Sequence, residues 1–174
     1  RIAARVEWLH GPANAVSCLR MYLERPASAR LRAIVSCTWQ HATAHPRHAR
    51  VVPDACMDIL WNGRQLLVAG PDTAPVSLAL PGGTRIVGVR FLPGAGGPLL
   101  GTPASALCDA RVPLTELWGD AARTLEDGLE QAGDVHAAWR LLERALEGRH
   151  AQAAAVDPLM RAVLAWLQPC AAES

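Results

Sequence analysis

Short apolar runs separated by turn residues fill the first half of the chain, a pattern typical of β-structure. The Asn62-Gly63 pair between two of these runs is a strong hairpin signal, because a type I′ turn requires positive φ at both central positions. Strands at this spacing predict a small sandwich or barrel. The predicted strands cover residues 33–39, 50–52, 56–61, 65–69, 76–80 and 85–92.

Helical periodicity replaces the strand pattern after Gly101. Thr102-Pro103 and Asp120 look like helix starts, and Asp157-Pro158 combines a cap with a proline at the first helical position. Asp134 caps the clearest helix, which is expected to end at Gly148. Its apolar residues are Val135, Ala138, Trp139, Leu142, Ala145 and Leu146.

These patterns predict an α+β fold with an antiparallel β-barrel or sandwich of the cupin or jelly-roll kind, followed by helices. The β region is assigned to residues 1–100 and the helical region to residues 101–174, the two forming one compact unit. A chain of 174 residues is long enough to bury a substantial core. The helices are expected to pack on the barrel, to mediate dimerisation, or both.

Two charged residues, Asp58 and Arg90, stand alone in the middle of apolar strands. Strand alternation places Asp58 on the same face as Cys56, and Arg90 on the same face as Gly88. A buried unpaired charge is costly, so two interior charges should pair with each other or meet a ligand. Two interpretations remain open: a structural ion pair or solvated sheet face, and a polar anchor inside an apolar small-molecule pocket.

The pocket interpretation selects a small group of candidate residues. Gly88 leaves room for a close approach next to Arg90. Trp39 and Trp61 could supply aromatic walls, although core packing is the more common fate of a strand tryptophan. The candidate ligand-binding residues are Trp39, Cys56, Asp58, Trp61 and Arg90.

Metal binding and catalysis find little support in the sequence. Three histidines lie close together, but Pro46 rules out ligands on one helix face, and neither H-x-H nor H-E-x-x-H occurs. A divalent metal site of the cupin kind, built from histidine and carboxylate side chains on strands, remains imaginable. Nucleophile-elbow and phosphate-loop motifs are absent, so no catalytic residue, metal or cofactor is predicted. The imaginable ligands are Asp54, Cys56, Asp58 and one of the three histidines His41, His45 and His48.

Composition indicates which partners and which cellular compartment to expect. The net charge is +1 and the cationic residues are scattered, so these residues are not expected to bind nucleic acid by themselves. Five cysteines without a C-x-x-C pair favour a reducing compartment. With no apolar run of about 20 residues and no signal peptide, a cytoplasmic location is expected.

Several motifs taken together carry a family resemblance. The set resembles the N-terminal domain of a group of AraC-type bacterial transcription regulators, from about Trp39 to Trp118. One departure is Ala55, where that family usually has glycine, which hints at a slightly different turn. The matching motifs are PDACMDILW at 53–61, GP at 70–71, GVRFLPG at 88–94, GTPA at 101–104, RVPL at 111–114 and LWG at 117–119.

The resemblance implies an effector-sensing and dimerisation domain of a DNA-binding regulator. DNA would be bound only through a helix-turn-helix domain expected after residue 174, and the effector is an unknown small molecule. A homodimer is expected through the C-terminal helices, with no membrane partner. The alternative is a free-standing cupin-like protein or enzyme that binds a small molecule or a metal. The residues expected at the dimer interface are Trp139, Leu142, Leu146 and Trp166.

Overall fold

The computed structural model describes residues 6–8, 22–153, 158–159 and 162. Its strands form two antiparallel sheets, one with six strands in the order β2-β3-β8-β5-β6-β9 and one with three in the order β1-β4-β7. All the strands except β9 precede the helices along the chain, which confirms the α+β prediction. The strands are β1 (Val6–Trp8), β2 (Tyr22–Pro26), β3 (Val35–Ala42), β4 (Arg47–Val51), β5 (Asp58–Trp61), β6 (Leu66–Ala69), β7 (Val76–Leu80), β8 (Arg85–Phe91) and β9 (Arg111–Pro113).

The hairpin between β5 and β6 forms as predicted, but its turn differs from the expected type. Trp61 pairs with Leu66, so the loop holds four residues rather than two. Gly63 has a φ of 86°, whereas Asn62 does not have positive φ. Instead, the Asn62 side chain accepts hydrogen bonds from the backbone N–H groups of Arg64 and Gln65 at 3.0 and 3.1 Å. Asparagine closes this loop with its amide oxygen, so the type I′ prediction was wrong.

The six-stranded sheet has two different faces. One face carries fully buried apolar residues, among them Ile59, Val68, Val89 and Phe91, which join the helices in the main core. The other face meets the three-stranded sheet across a cavity. Strand alternation produces this division, since neighbouring residues on one strand point to opposite sides.

The first helix begins at Gly96, before the predicted boundary at residue 100. The short strand β9 then lies between the 3₁₀ turn and α2. Asp134 is the N-cap of α4, where its carboxylate accepts a hydrogen bond from Ala137 N–H at 2.7 Å. This helix runs two residues past Gly148. The helices are α1 (Gly96–Leu100), a 3₁₀ turn (Ala104–Leu107), α2 (Leu114–Trp118), α3 (Asp120–Glu130) and α4 (Val135–His150). Within the described part of the chain, no helix has the length and apolar character needed to cross a membrane.

The residues expected at a dimer interface lie inside the chain instead. Trp139, Leu142 and Leu146 are each at most 2% exposed, and α4 packs against β8. Since these side chains are buried by their own chain, they are not available to a second copy, which corrects that assignment. Trp166, and most of the helix expected from Asp157, lie outside the described residues.

Candidate functional site

A cavity of about 130 Å³, partly open to solvent, lies between the two sheets. The three-stranded sheet contributes Val51 and Leu80, and the six-stranded sheet contributes Leu60 and Ile86. These apolar walls surround a small number of polar side chains, which is the usual composition of a site for a small molecule.

Asp58 and Arg90 form the polar centre of this cavity. They are opposite each other on β5 and β8, which brings the two side chains onto the same face. Arg90 Nε donates to Asp58 Oδ1 at 3.2 Å, and Arg90 Nη2 donates to Asp58 Oδ2 at 3.1 Å. The Asp58 side chain is 13% exposed and the Arg90 side chain only 6%. The pair is therefore a bidentate and largely buried ion pair, the geometry in which arginine binds carboxylate best.

Trp39 binds the same carboxylate from β3, on the other side of β8 from Asp58. Its indole Nε1 donates to Asp58 Oδ1 at 2.8 Å. The ring lies over Gly88, its cross-strand partner, where a Cβ atom would be only 2.4 Å from Trp39 Cε2. The space left by the absent side chain of Gly88 is thus filled by the indole of Trp39. Glycine at this position lets the ring reach Asp58.

Asp54 is the second carboxylate beside Arg90. Its Oδ1 accepts a hydrogen bond from Cys56 N–H at 2.9 Å, and its Oδ2 lies 3.6 Å from Arg90 Nη1. Between these residues Ala55 has a φ of 58°, the left-handed conformation that favours glycine. Ala55 therefore adopts the backbone that a glycine would take in this turn. The Asp54 carboxylate stabilises the turn and reaches the cavity.

The protonation of the polar centre follows from burial and pairing. Burial raises the pKa of Asp58, while the Arg90 guanidinium and the Trp39 indole oppose that rise by stabilising the charged form. Burial also disfavours the charge on Arg90, but Asp58 and Asp54 outweigh it and raise the arginine pKa. Three donor groups directed at Asp58 keep it a carboxylate, so the ion pair is charged.

Three further titratable groups on the cavity wall, Cys56, His41 and Tyr22, are neutral at pH 7. Burial raises the pKa of Cys56 to about 12, with the nearby Asp54 acting in the same direction. Burial lowers the pKa of His41, and the positive charge of Arg47 adds to this effect. Tyr22 also has a raised pKa because it is buried.

Two elements of the site went unrecognised in the sequence. Tyr22 lines the cavity from β2, with its ring centroid 5.9 Å from that of Trp39. This strand has few branched residues, so its pattern gave no strand signal. At another part of the wall, Arg111 and Asp72 form a second bidentate pair, at 2.9 and 2.7 Å. Because these residues are 39 positions apart, local spacing could not bring them together.

Of the five candidate residues, Trp39, Cys56, Asp58 and Arg90 line the cavity together. Trp61 does not, because it points to the opposite face of β5 and packs in the core at 7% exposure. This placement corrects the idea that Trp61 walls the same pocket as Trp39.

The structure separates the three candidate histidines. His41 is buried at the cavity, whereas His45 and His48 are exposed and do not line it. Among the residues that the structure describes, no three histidine, cysteine or acidic side chains are grouped as a metal would require.

A direct contact joins the cavity to the helical layer. Trp139 Nε1 on α4 donates to the backbone carbonyl of Trp39 at 3.1 Å. The guanidinium of Arg25 lies over the Trp139 ring, 4.9 Å from its centroid. Trp39 therefore contacts Asp58 through its side chain and α4 through its backbone.

One known family matches the part of the chain that forms most of this site. Residues 23–113 match the model of a family described as a domain of unknown function, DUF6597, and the chain belongs to that family. The matched region includes Trp39, Asp54, Cys56, Asp58 and Arg90. Comparison with curated proteins and with solved structures finds no significant match to the chain.

Proposed function

We propose that this protein is the effector-sensing and dimerisation part of an AraC-type transcription regulator. The sequence motifs between Trp39 and Trp118 support this proposal, and membership of a family of unknown function does not conflict with it. The protein would regulate transcription through a helix-turn-helix domain located outside these 174 residues. DNA would be contacted by that domain only.

The observation that carries the proposal is the apolar cavity with the polar centre that Asp58 and Arg90 form. A sensor needs an interior volume large enough for a small molecule and a few polar groups that select it. Asp54, Asp58 and Arg90 are such groups, and they are surrounded by apolar walls. A barrel that served dimerisation alone would need no such interior site.

Trp39 supplies a physical route from the effector to the helices. A molecule that displaced or tightened the Trp39–Asp58 hydrogen bond would act on β3, whose backbone accepts the hydrogen bond from Trp139. An effector can shift a protein between two states only by as much as its affinity differs between them. In this proposal the two states differ in how α4 contacts β3 through the Trp139–Trp39 hydrogen bond.

The proposal is tested on the intact gene product. Reading the gene beyond residue 174 should reveal two helix-turn-helix patterns, and the purified product should bind its own promoter DNA. A compound that stabilises the protein should change that DNA affinity, and Trp139→Phe should reduce the change without abolishing compound binding. Absence of DNA binding by the intact product would contradict the proposal.

Dimerisation stays a prediction of this proposal and needs a separate measurement. Light scattering of the purified protein should give twice the mass of one chain. Stoichiometric metal in the same preparation would instead favour the alternative, a free-standing cupin-like binding protein or enzyme. Metal analysis by mass spectrometry distinguishes these two classes.

A further inference from the structure

We propose that the cavity binds a neutral, mainly apolar molecule whose polar end is a hydroxyl or a primary amide, and that it rejects organic anions. This inference rests on the proposed role of the cavity as an effector site. It adds the chemical class of the effector, which follows from the atoms of the polar centre.

Arg90 Nη1 is the first of these atoms. It is buried and makes no hydrogen bond among the described residues, although the other two nitrogens of the guanidinium are bonded to Asp58. Leaving a buried donor without an acceptor costs free energy, so buried donors in proteins are generally hydrogen-bonded. Since Arg90 lines the cavity, a ligand can supply that acceptor.

Asp54 Oδ2 is the second atom. It lies 3.6 Å from Arg90 Nη1, too far for a hydrogen bond but close enough for one small group to contact both atoms. Such a group must accept from the guanidinium and donate to the carboxylate. A hydroxyl does both with one oxygen, and a primary amide does so with its oxygen and its nitrogen. An ammonium group has no lone pair for Nη1.

The charges on the cavity wall exclude anions. Asp58 is paired with Arg90 and Asp72 with Arg111, both in bidentate geometry. Asp54 is the third carboxylate on this wall, and among the described residues its one cation within ion-pair distance, Arg90, is already shared with Asp58. His41 and Cys56 add no charge at pH 7. The wall thus carries one excess negative charge, and an anionic ligand would add a second beside it.

The remaining walls favour an apolar body. Val51, Leu60, Leu80 and Ile86 face the cavity from both sheets, and Tyr22 adds an aromatic ring beside Trp39. Burial of apolar ligand surface would supply most of the affinity. The pair formed by Arg90 Nη1 and Asp54 Oδ2 would supply the selectivity.

A matched set of naphthalene probes tests this ligand class. Binding of 2-naphthylmethanol, 2-naphthamide, 2-naphthoate, 2-naphthylmethylammonium and 2-methylnaphthalene is measured by saturation-transfer NMR and calorimetry at pH 7. The alcohol and the amide should bind at least tenfold more tightly than the other three. Tighter binding of naphthoate or of the ammonium would overturn the ligand class while leaving the effector site intact.

Two further outcomes are informative. Equal binding of methylnaphthalene and naphthylmethanol would mean that water serves the polar pair, and would also overturn the ligand class. Failure of all five probes, together with the absence of any stabilising compound in a wider library, would overturn the effector site itself. The two failures are therefore distinguishable.

Asp54→Asn is the decisive variant. Asparagine keeps an oxygen for Cys56 N–H, so the turn is retained, but it removes the excess negative charge. Binding of naphthoate should improve at least tenfold. Asp120→Asn removes the same charge from an exposed side chain on α3 and should change nothing. Equal effects of the two variants would contradict local charge selection.

Discussion

The indole N–H of Trp139 donates to the backbone carbonyl of Trp39 at 3.1 Å, although the two residues are 100 positions apart. The indole N–H of Trp39 in turn donates to Asp58 at 2.8 Å. Two hydrogen bonds and one side chain thus connect the polar centre of the cavity to α4. This path from the carboxylate to the helical layer crosses no loop.

The Asp58–Arg90 pair should dominate the stability of the cavity wall. Asp58→Ala leaves the buried guanidinium without its main partner, so we expect the free energy of unfolding to fall by about 3–5 kcal/mol. The exposed Asp120–Arg123 pair is the control, since Asp120→Ala should cost at most about 1 kcal/mol. Urea denaturation measures both values, and equal losses would show that burial of the Asp58–Arg90 pair does not govern its contribution.

Gly88 should not tolerate a side chain. The Cβ of Gly88→Ala would lie 2.4 Å from Trp39 Cε2 and would push the indole away from Asp58. Destabilisation of about 1–3 kcal/mol is expected from overpacking alone. Gly148→Ala in α4 meets no atom within 4 Å and should stabilise the protein by up to about 1 kcal/mol. A neutral Gly88→Ala variant in urea denaturation would refute the packing of Trp39 on this glycine.

Ala55 should be improved by glycine. Its φ of 58° is unfavourable for alanine, so Ala55→Gly should raise the free energy of unfolding by about 0.5–1 kcal/mol. Ala74 is also exposed but does not have positive φ, and Ala74→Gly should lower stability slightly through the more flexible unfolded chain. Thermal unfolding of the two variants side by side checks the opposite signs. Destabilisation by both would contradict the left-handed conformation of Ala55.

Cys56 should react slowly with alkylating agents. Burial raises its pKa to about 12, so the thiol remains neutral at pH 8 and only its thiolate is reactive. The thiolate fraction, and with it the labelling rate, should rise about tenfold for each pH unit between 8 and 11, since both lie below this pKa. Iodoacetamide labelling followed by peptide mass spectrometry should modify the exposed Cys108 first. Labelling of Cys56 at the same rate would refute its burial on the cavity wall.

Strand alternation was sufficient to predict part of the site. It placed Asp58 with Cys56 and Arg90 with Gly88; Asp58, Cys56 and Arg90 line the cavity, and Gly88 lies on the same face under the Trp39 ring. It also placed Trp61 opposite Asp58, yet aromatic character alone drew Trp61 into the list of candidates. The face of the strand was the better guide, because period-two geometry holds wherever the strand is regular.

The rest of the site depends on contacts that local sequence does not encode. Asp72 meets Arg111 only after β6 and β9 have paired, and Tyr22 meets Trp39 only after β2 has joined β3. The hairpin was predicted correctly but its type I′ turn was wrong, since Asn62 can serve a turn either through positive φ or through its amide oxygen. Tertiary pairing and the choice between local hydrogen bonds account for these differences.

Blocking the cavity tests the central claim most directly. Ala69 lines the cavity on β6, so Ala69→Phe should fill part of it, whereas Ala79→Phe adds the same ring to an exposed position on β7. Thermal unfolding of the three proteins is measured against a library of small neutral compounds. Compounds that raise the Tm of the parent protein and of Ala79→Phe should leave that of Ala69→Phe unchanged. Equal shifts in all three proteins would contradict an effector site between the two sheets.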